Sequence, residues 1–358
     1  MTKKTGILCL LIFVTVLLIN CSNQLSVQNK SYEFPVRLPH AVSNNAVAYL
    51  QLDGQDQFYT FNGLHRGKSY TDISNHAFVW KKGQWQTMMV PEQQLPVLAS
   101  TAVAVNGSVY LFGGYTVAAD HSEKSIPNVW RIDGINDQWY AMPVMPVPVD
   151  DAVAVVYQNR YIYLISGWHD VDNVDLVQVF DTKALTWQQA TPFPLPAVFG
   201  HAGGIVGRKI LICDGVKVLK TSNKKQFLPS PACAMGTIDD QDPTVIDWEQ
   251  IPHHSGTAYY RMAAGSHAST EIHFVGGSDN PYNYDGIGYN EVPSKPSNGW
   301  RVYDVITKTW KVNNHDQSAS MDHRALLNSP HGFVILGGMI ENQLVTDQII
   351  YHKKQKLN

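Results

Sequence analysis

Six times along this chain a short apolar run ends in a pair of small residues, and that recurrence restricts the fold more than any other feature. The pairs are Asn62-Gly63, Gly113-Gly114, Ser166-Gly167, Asp214-Gly215, Gly276-Gly277 and Gly337-Gly338, their second members lying 51, 53, 48, 62 and 61 residues apart. A repeat of this length marks units that cannot bury their apolar faces alone and must stack. The second unit shows the plan most openly. Ala102–Val105 is apolar, Asn106-Gly107 follows, and Ser108–Phe112 is apolar again. Two short apolar runs joined by Asn-Gly predict a tight hairpin, since a type I′ turn needs positive φ at both central residues. Asn128–Ile132 and Asp137–Met142 complete four antiparallel strands, termed a to d in chain order.

The other units repeat this order. Strand c recurs at His76–Trp80, Leu176–Phe180, Trp300–Asp304 and Gln348–His352, with Ala232–Ile238 the expectation in the fourth unit. Strand d carries Trp85, Trp139, Trp187, Trp248 and Trp310. Twenty-six Gly and 19 Pro suit a turn-rich β protein, and 44% hydrophobic against 16% charged residues excludes a disordered polyelectrolyte. A net charge of −3 offers no basic face for nucleic acid.

A small pair closing a strand, then an aromatic, then a Trp about seven residues on resembles the kelch repeat. Tyr303 with Trp310 and Phe180 with Trp187 carry the pattern best. The resemblance covers residues 32–358 and implies an all-β, six-bladed kelch-type β-propeller. Physically, glycines let backbones approach closely, and Trp offers a broad face to pack between blades. The last unit stops at strand c, whereas Tyr32–Pro39 resembles the end of other units. This N-terminal segment is therefore expected to supply strand d of the last blade and close the ring, with Tyr32 or Phe34 in place of the Trp.

In a propeller of this kind, strand a lines the channel, and the d-to-a and b-to-c connections share the face where ligands usually lie. The residues opening strand a are His40, Ser100, Asp150 with Asp151, His201, Arg261 and Arg324, with Asp322 and His323 beside the last. Arg261 and Arg324 are expected side by side as guanidinium forks for an anionic or hydroxyl-rich ligand. The long blade-five loop from Ser278 to Glu291 is rich in Tyr, Asn and Gly and contributes Asn283, Tyr284 and Tyr289 as candidate ligand contacts. It is either a binding loop or a loop packed on its own tyrosines. Tyr115–Pro127, with His121, Glu123 and Lys124, is expected to be a mobile loop. No H-x-x-x-H or paired-Cys ligand spacing occurs, adjacent His253-His254 suits one ion poorly, and Gly286–Gly288 opens no helix. Neither metal nor cofactor is expected.

Residues 1–20 read as a signal peptide: Lys3 and Lys4, then an apolar run from Ile7 to Leu18 too short to span a bilayer comfortably. Leu18–Cys21 resembles a bacterial lipobox, although Asn20 replaces the preferred small residue. Residues 21–31 form a tether, with Cys21 the lipidation site. Ser22 points to the outer membrane; ordinary cleavage into the periplasm is the alternative. The membrane is expected to be met only through this anchor, by a monomer. Cys213 and Cys233 remain as an even pair for an oxidising compartment. A disulfide between them and two separate buried thiols are equally open.

Two functions compete. One is an exported propeller binding a glycan, sugar or protein ligand on its loop-rich face. The other is a cofactor-free sugar mutarotase or epimerase for sialic acid or a similar acidic sugar. The chain is similar to bacterial N-acetylneuraminate epimerases in architecture, in Phe199–His201 opening a strand a, and in a Tyr-, Asn- and Gly-bearing loop after the blade-five Gly pair; it lacks their Arg-Glu run. That resemblance implies an acid and a base flanking an anomeric carbon, with Asp151, His201 and Glu291 the candidates.

Overall fold

The computed structural model describes residues 34–220, 225–267, 270–313 and 318–353. The expected signal peptide, Cys21, the expected tether and Ser31–Glu33 lie outside them. Blades one to five are each a twisted four-stranded antiparallel sheet in the order a-b-c-d. Blade one comprises Ala46–Leu52, Gln55–Leu64, Ile73–Lys81 and Gln84–Thr87. Blades two to five repeat this order, with strands a at Thr101–Val105, Val153–Tyr157, Ala202–Val206 and Ala263–His267. Blade six contributes Leu327–Asn328, Gly332–Leu336 and Ile349–Lys353. The fourth unit's strand c is Cys233–Ile238, and Cys213, at the end of strand b, pairs with Cys233 across the ladder. The two are joined as a disulfide, so the separate-thiol alternative falls away.

The strand-d tryptophans bind the blades together. The indole N–H of Trp187 donates to Pro143 O (2.9 Å), that of Trp248 to Thr191 O (3.3 Å) and that of Trp310 to Pro252 O (2.8 Å), each acceptor following strand d of the preceding blade. Trp85 donates in the same way to Arg37 O at 2.8 Å. Arg37 thus occupies the place that strand-d ends occupy elsewhere. It bridges antiparallel to Gln348, and Leu38 N–H donates to Asp347 O (2.8 Å). The N-terminal segment closes the last blade, though among the described residues the pairing is confined to this short contact rather than a full fourth strand.

Two hydrogen-bond patterns repeat around the ring. In five of the small pairs the second residue donates its N–H to the next blade: Gly63 to Val97 O, Gly167 to Val198 O, Gly215 to Tyr259 O, Gly277 to Ser320 O, and Gly338 to Val42 O, which joins last to first. A Cβ on Gly337 would lie 2.3 Å from Val42 O, so only glycine allows this approach. Two residues beyond each acceptor, or the matching position, comes a residue with positive φ: Asn44, Ala99, Asp151, Gly200, Arg261 and Asp322. Their backbones form a chain around the channel mouth: Ala99 N–H to Asn44 O, Asp151 to Ala99, Gly200 to Asp151, Arg261 to Gly200, and His323 to Arg261, at 2.8–3.3 Å. Among the described residues no helix is long and apolar enough to cross a membrane.

Candidate functional site at the channel mouth

The residue before each positive-φ position pairs with the residue after each small pair: Ser43 with Leu64, Leu98 with Tyr115, Asp150 with Trp168, Phe199 with Val216, Tyr260 with Ser278, and Met321 with Met339. Most of these side chains are large and apolar, and they form one buried cluster that plugs the mouth, with Tyr282 and Val345. The b-to-c connections rise around it. Tyr115–Val117 with Glu123–Ser125, Trp168–His169 with Asp172–Asn173, and Val216–Lys220 with Lys225–Pro229 are hairpins. The expectation of a mobile blade-two loop is corrected to that extent: its ends pair as a ribbon, and Ser125 Oγ donates to Asp150 Oδ2 at 2.6 Å.

Between these hairpins and the blade-five loop lies a cavity of about 190 Å³. Its walls are Tyr115, Trp168, Phe199, Phe227, Tyr284 and Tyr289, and its polar lining is Glu123, Asp150, Asp151, Arg261 and Asn283. Phe227 and Tyr289 stack with centroids 4.0 Å apart, and Trp168 stands 5.3 Å from Phe199. The blade-five loop does two things here. It packs on itself, Asn280 Nδ2 donating to Asn290 Oδ1 (3.2 Å) and Val292 O (3.0 Å), and it lends Asn283, Tyr284 and Tyr289 to the cavity.

Beneath the floor lies a closed ionic cluster. Arg261 meets Asp151 at 2.5 Å and Asp322 at 3.1 Å; Arg324 meets Asp151 at 2.9 Å and also donates to Asn44. All four side chains are buried. Burial opposes charge on each, but Arg261 and then Arg324 hold the Asp151 carboxyl below the usual carboxylate range, and Asp151 and Asp322 keep Arg261 firmly protonated. Asp150 differs: burial, with Asp151 nearby, pushes its carboxyl well above the usual range, against the opposing Ser125 bond.

The structure therefore assembles only part of the expected site. Asp151, Arg261, Asn283, Tyr284 and Tyr289 converge on the cavity. Arg261 and Arg324 are neighbours, as expected, but they are not open forks: both are committed to buried carboxylates, and Arg324 does not reach the cavity. His201 is turned away to Ile165 O (2.9 Å), and burial lowers it to about 4. His323 contacts Ser320 Oγ (3.0 Å), and burial lowers it to about 3. Ser100 accepts from Asn62 Nδ2, Glu291 is exposed on the loop, and His40 packs beside His65, His76 and Phe78 away from the ring. The sequence reading passed over Tyr115, Trp168 and Phe227 as site residues. The first two follow the small pairs of blades two and three, so aligning the six units at that position would have found them.

Two clusters offer metal-ligand chemistry among the described residues: Asp214 with His253 and His254, and Glu271 with His267 and His273. The bond made by the far ring nitrogen of one histidine in each argues against a metal there. Gly256 N–H donates to His253 Nδ1 at 2.8 Å, and Trp300 Nε1–H to His273 Nδ1 at 2.9 Å. The ring proton is thereby placed on Nε2, facing the carboxylate, whereas a metal would need that lone pair and a donating far nitrogen. The Asp214 cluster ties the d-to-a connection to strand b, as Asn62 does through Gln94 in blade one.

Comparison with known proteins accords with this architecture. A model of the KLHDC2/KLHL20/DRC7 kelch-repeats domain matches residues 45–229, just over half of the chain. The chain belongs to the kelch-repeat family. Kelch-like protein 15 of Gallus gallus is 28% identical over 149 residues, covering 41% of this chain and 30% of that protein. Kelch domain-containing protein 1 of Mus musculus is 23% identical over 309 residues, covering 74% of this chain and 67% of that protein. The kelch chain spans less than a third of the first relative's length. Among solved structures, that of YjhT superposes with a TM-score of 0.68 at 14% identity, covering 90% of this chain and 97% of its own, a likeness of fold alone.

Proposed function

We propose that the protein is an exported kelch propeller that binds a sugar, free or as a unit of a glycan, in the channel-mouth cavity. The observation that carries this reading is the cavity itself: six aromatic rings around a small polar floor of carboxyls and an amide. Such rings stack against the C–H faces of a saturated sugar, while carboxyls and amides take its hydroxyls. Export and an outer-membrane lipid anchor at Cys21 belong to the same proposal. They are supported by the N-terminal pattern and by the Cys213–Cys233 disulfide, which suits an oxidising compartment.

A mutarotase needs a free acid and a free base across the anomeric carbon. Asp150 and Asp151 are split in protonation tendency, but Asp151 is held by two arginines and His201 faces away. Binding is thus the reading the geometry favours. A screen of monosaccharides and glycans against residues 22–358, read by Trp fluorescence, tests it. Phe227→Ala should weaken whatever sugar binds by roughly ten-fold, an aromatic contact being worth about 1 kcal/mol or more. Sugar binding untouched by Phe227→Ala would place the ligand elsewhere.

A further inference from the structure

The charge balance of the cavity narrows the class of sugar; this step rests on the sugar-binding reading above. The ions beneath the floor cancel, Arg261 and Arg324 against Asp151 and Asp322. Glu123 and Asp150 add acid to the lining, and among the described residues no lysine or arginine except Arg261 lines the cavity. The surrounding rings already hold cations. The Lys225 ammonium lies 5.3 Å from the Trp168 centroid, and the Arg261 guanidinium lies 4.7 Å from that of Tyr260 and 5.5 Å from that of Tyr282. The face of an aromatic ring is its negative pole, and it attracts cations most strongly where water is excluded. A carboxylate entering here would meet acids and ring faces, with the one nearby guanidinium already neutralised.

We infer that the cavity takes an amino sugar, its free ammonium lodged between Glu123 and the aromatic walls while its ring stacks on them. This reverses the ligand charge that the two arginines suggested from sequence. It assigns Glu123 a role in recognising charge, and Glu123 stands at the exposed rim, where substitution does not disturb the core.

The test is calorimetric titration of the whole exported chain at about pH 6, where a sugar amine is charged. The probes are glucosamine, N-acetylglucosamine, glucose and glucuronate. Glucosamine should bind about ten-fold more tightly than glucose or N-acetylglucosamine, with glucuronate weakest. Glu123→Gln should abolish the preference of glucosamine over glucose, bringing their affinities together. Equal binding of glucosamine, glucose and N-acetylglucosamine would overturn the amino-sugar inference and leave the sugar pocket standing. Tightest binding by glucuronate would overturn it too. Failure of all four probes, while the protein shows its normal thermal transition, would count against both the inference and the reading beneath it.

Discussion

The residues that looked most like ligand contacts do structural work. Arg261 and Arg324 were legible as converging cations, because the repeat register places them at neighbouring strand-a starts. Their partners were not, since Asp151 lies 110 residues from Arg261 and reaches it only across the ring. Removing one member of such a buried group leaves charges without compensation, which costs about 3–5 kcal/mol. Arg261→Ala should therefore lower stability by that amount in urea titration, besides altering the cavity floor. Arg66, exposed and 3.9 Å from Asp347, is the control: Arg66→Ala should change stability by no more than about 0.5 kcal/mol. A second residue-scale consequence concerns pH. His201 and His323 are buried, with folded values near 4 and 3. The unfolded chain takes up their protons near pH 6.5, before the folded one does. Stability is thus fully present above about pH 6.5 and falls as pH drops toward 4, by up to about 3 kcal/mol per pH unit for the pair. Urea midpoints across that range should show the slope, and His201→Gln should shallow it.

At the scale of elements, the strands were readable because their signals are local. An apolar run, an Asn-Gly turn and a small pair each act within a few residues, so Trp300–Asp304 emerges with the bounds expected and the other c strands within a residue or so, except that of blade one, which starts three residues early at Ile73. The fourth unit's strand c was recovered from its place in the repeat alone, and its Cys233 sits opposite Cys213. The hairpins above the blades were harder to see. Tyr115–Val117 and Trp168–His169 are two- or three-residue strands whose pairing depends on neighbouring blades, as when Asp170 accepts from Ser125 N–H across 45 residues. Short, unevenly patterned segments carry little period of their own. The cavity is built largely from these segments, which is why Tyr115, Trp168 and Phe227 were missed, whereas Asp150, Asp151, Arg261, Asn283, Tyr284 and Tyr289 were legible from the repeat register and the blade-five loop.

At the scale of the molecule, each blade buries its faces only against its neighbours, so the ring should unfold as one unit. The segment around Arg37 completes that ring, accepting from Trp85, pairing with Gln348 and contacting Asp347 at 2.6 Å. Deleting residues 31–39 should lower the melting temperature by many degrees, since blade six would lose its outer partner and expose an edge. A truncated chain that melts normally would show that the ring needs no such closure. The same contact has a consequence for the order of events during synthesis. Arg37 leaves the ribosome among the first residues of the ring, and its partner Asp347, 310 residues later, among the last. Blades one to five can be made in turn, but their circle stays open until both ends of the chain are present. Joining segments so far apart is slow, because the whole intervening chain must be ordered or looped first. Under the export proposed above, with the chain threaded unfolded across a membrane, that delay is useful: the step that locks the ring waits until passage is over.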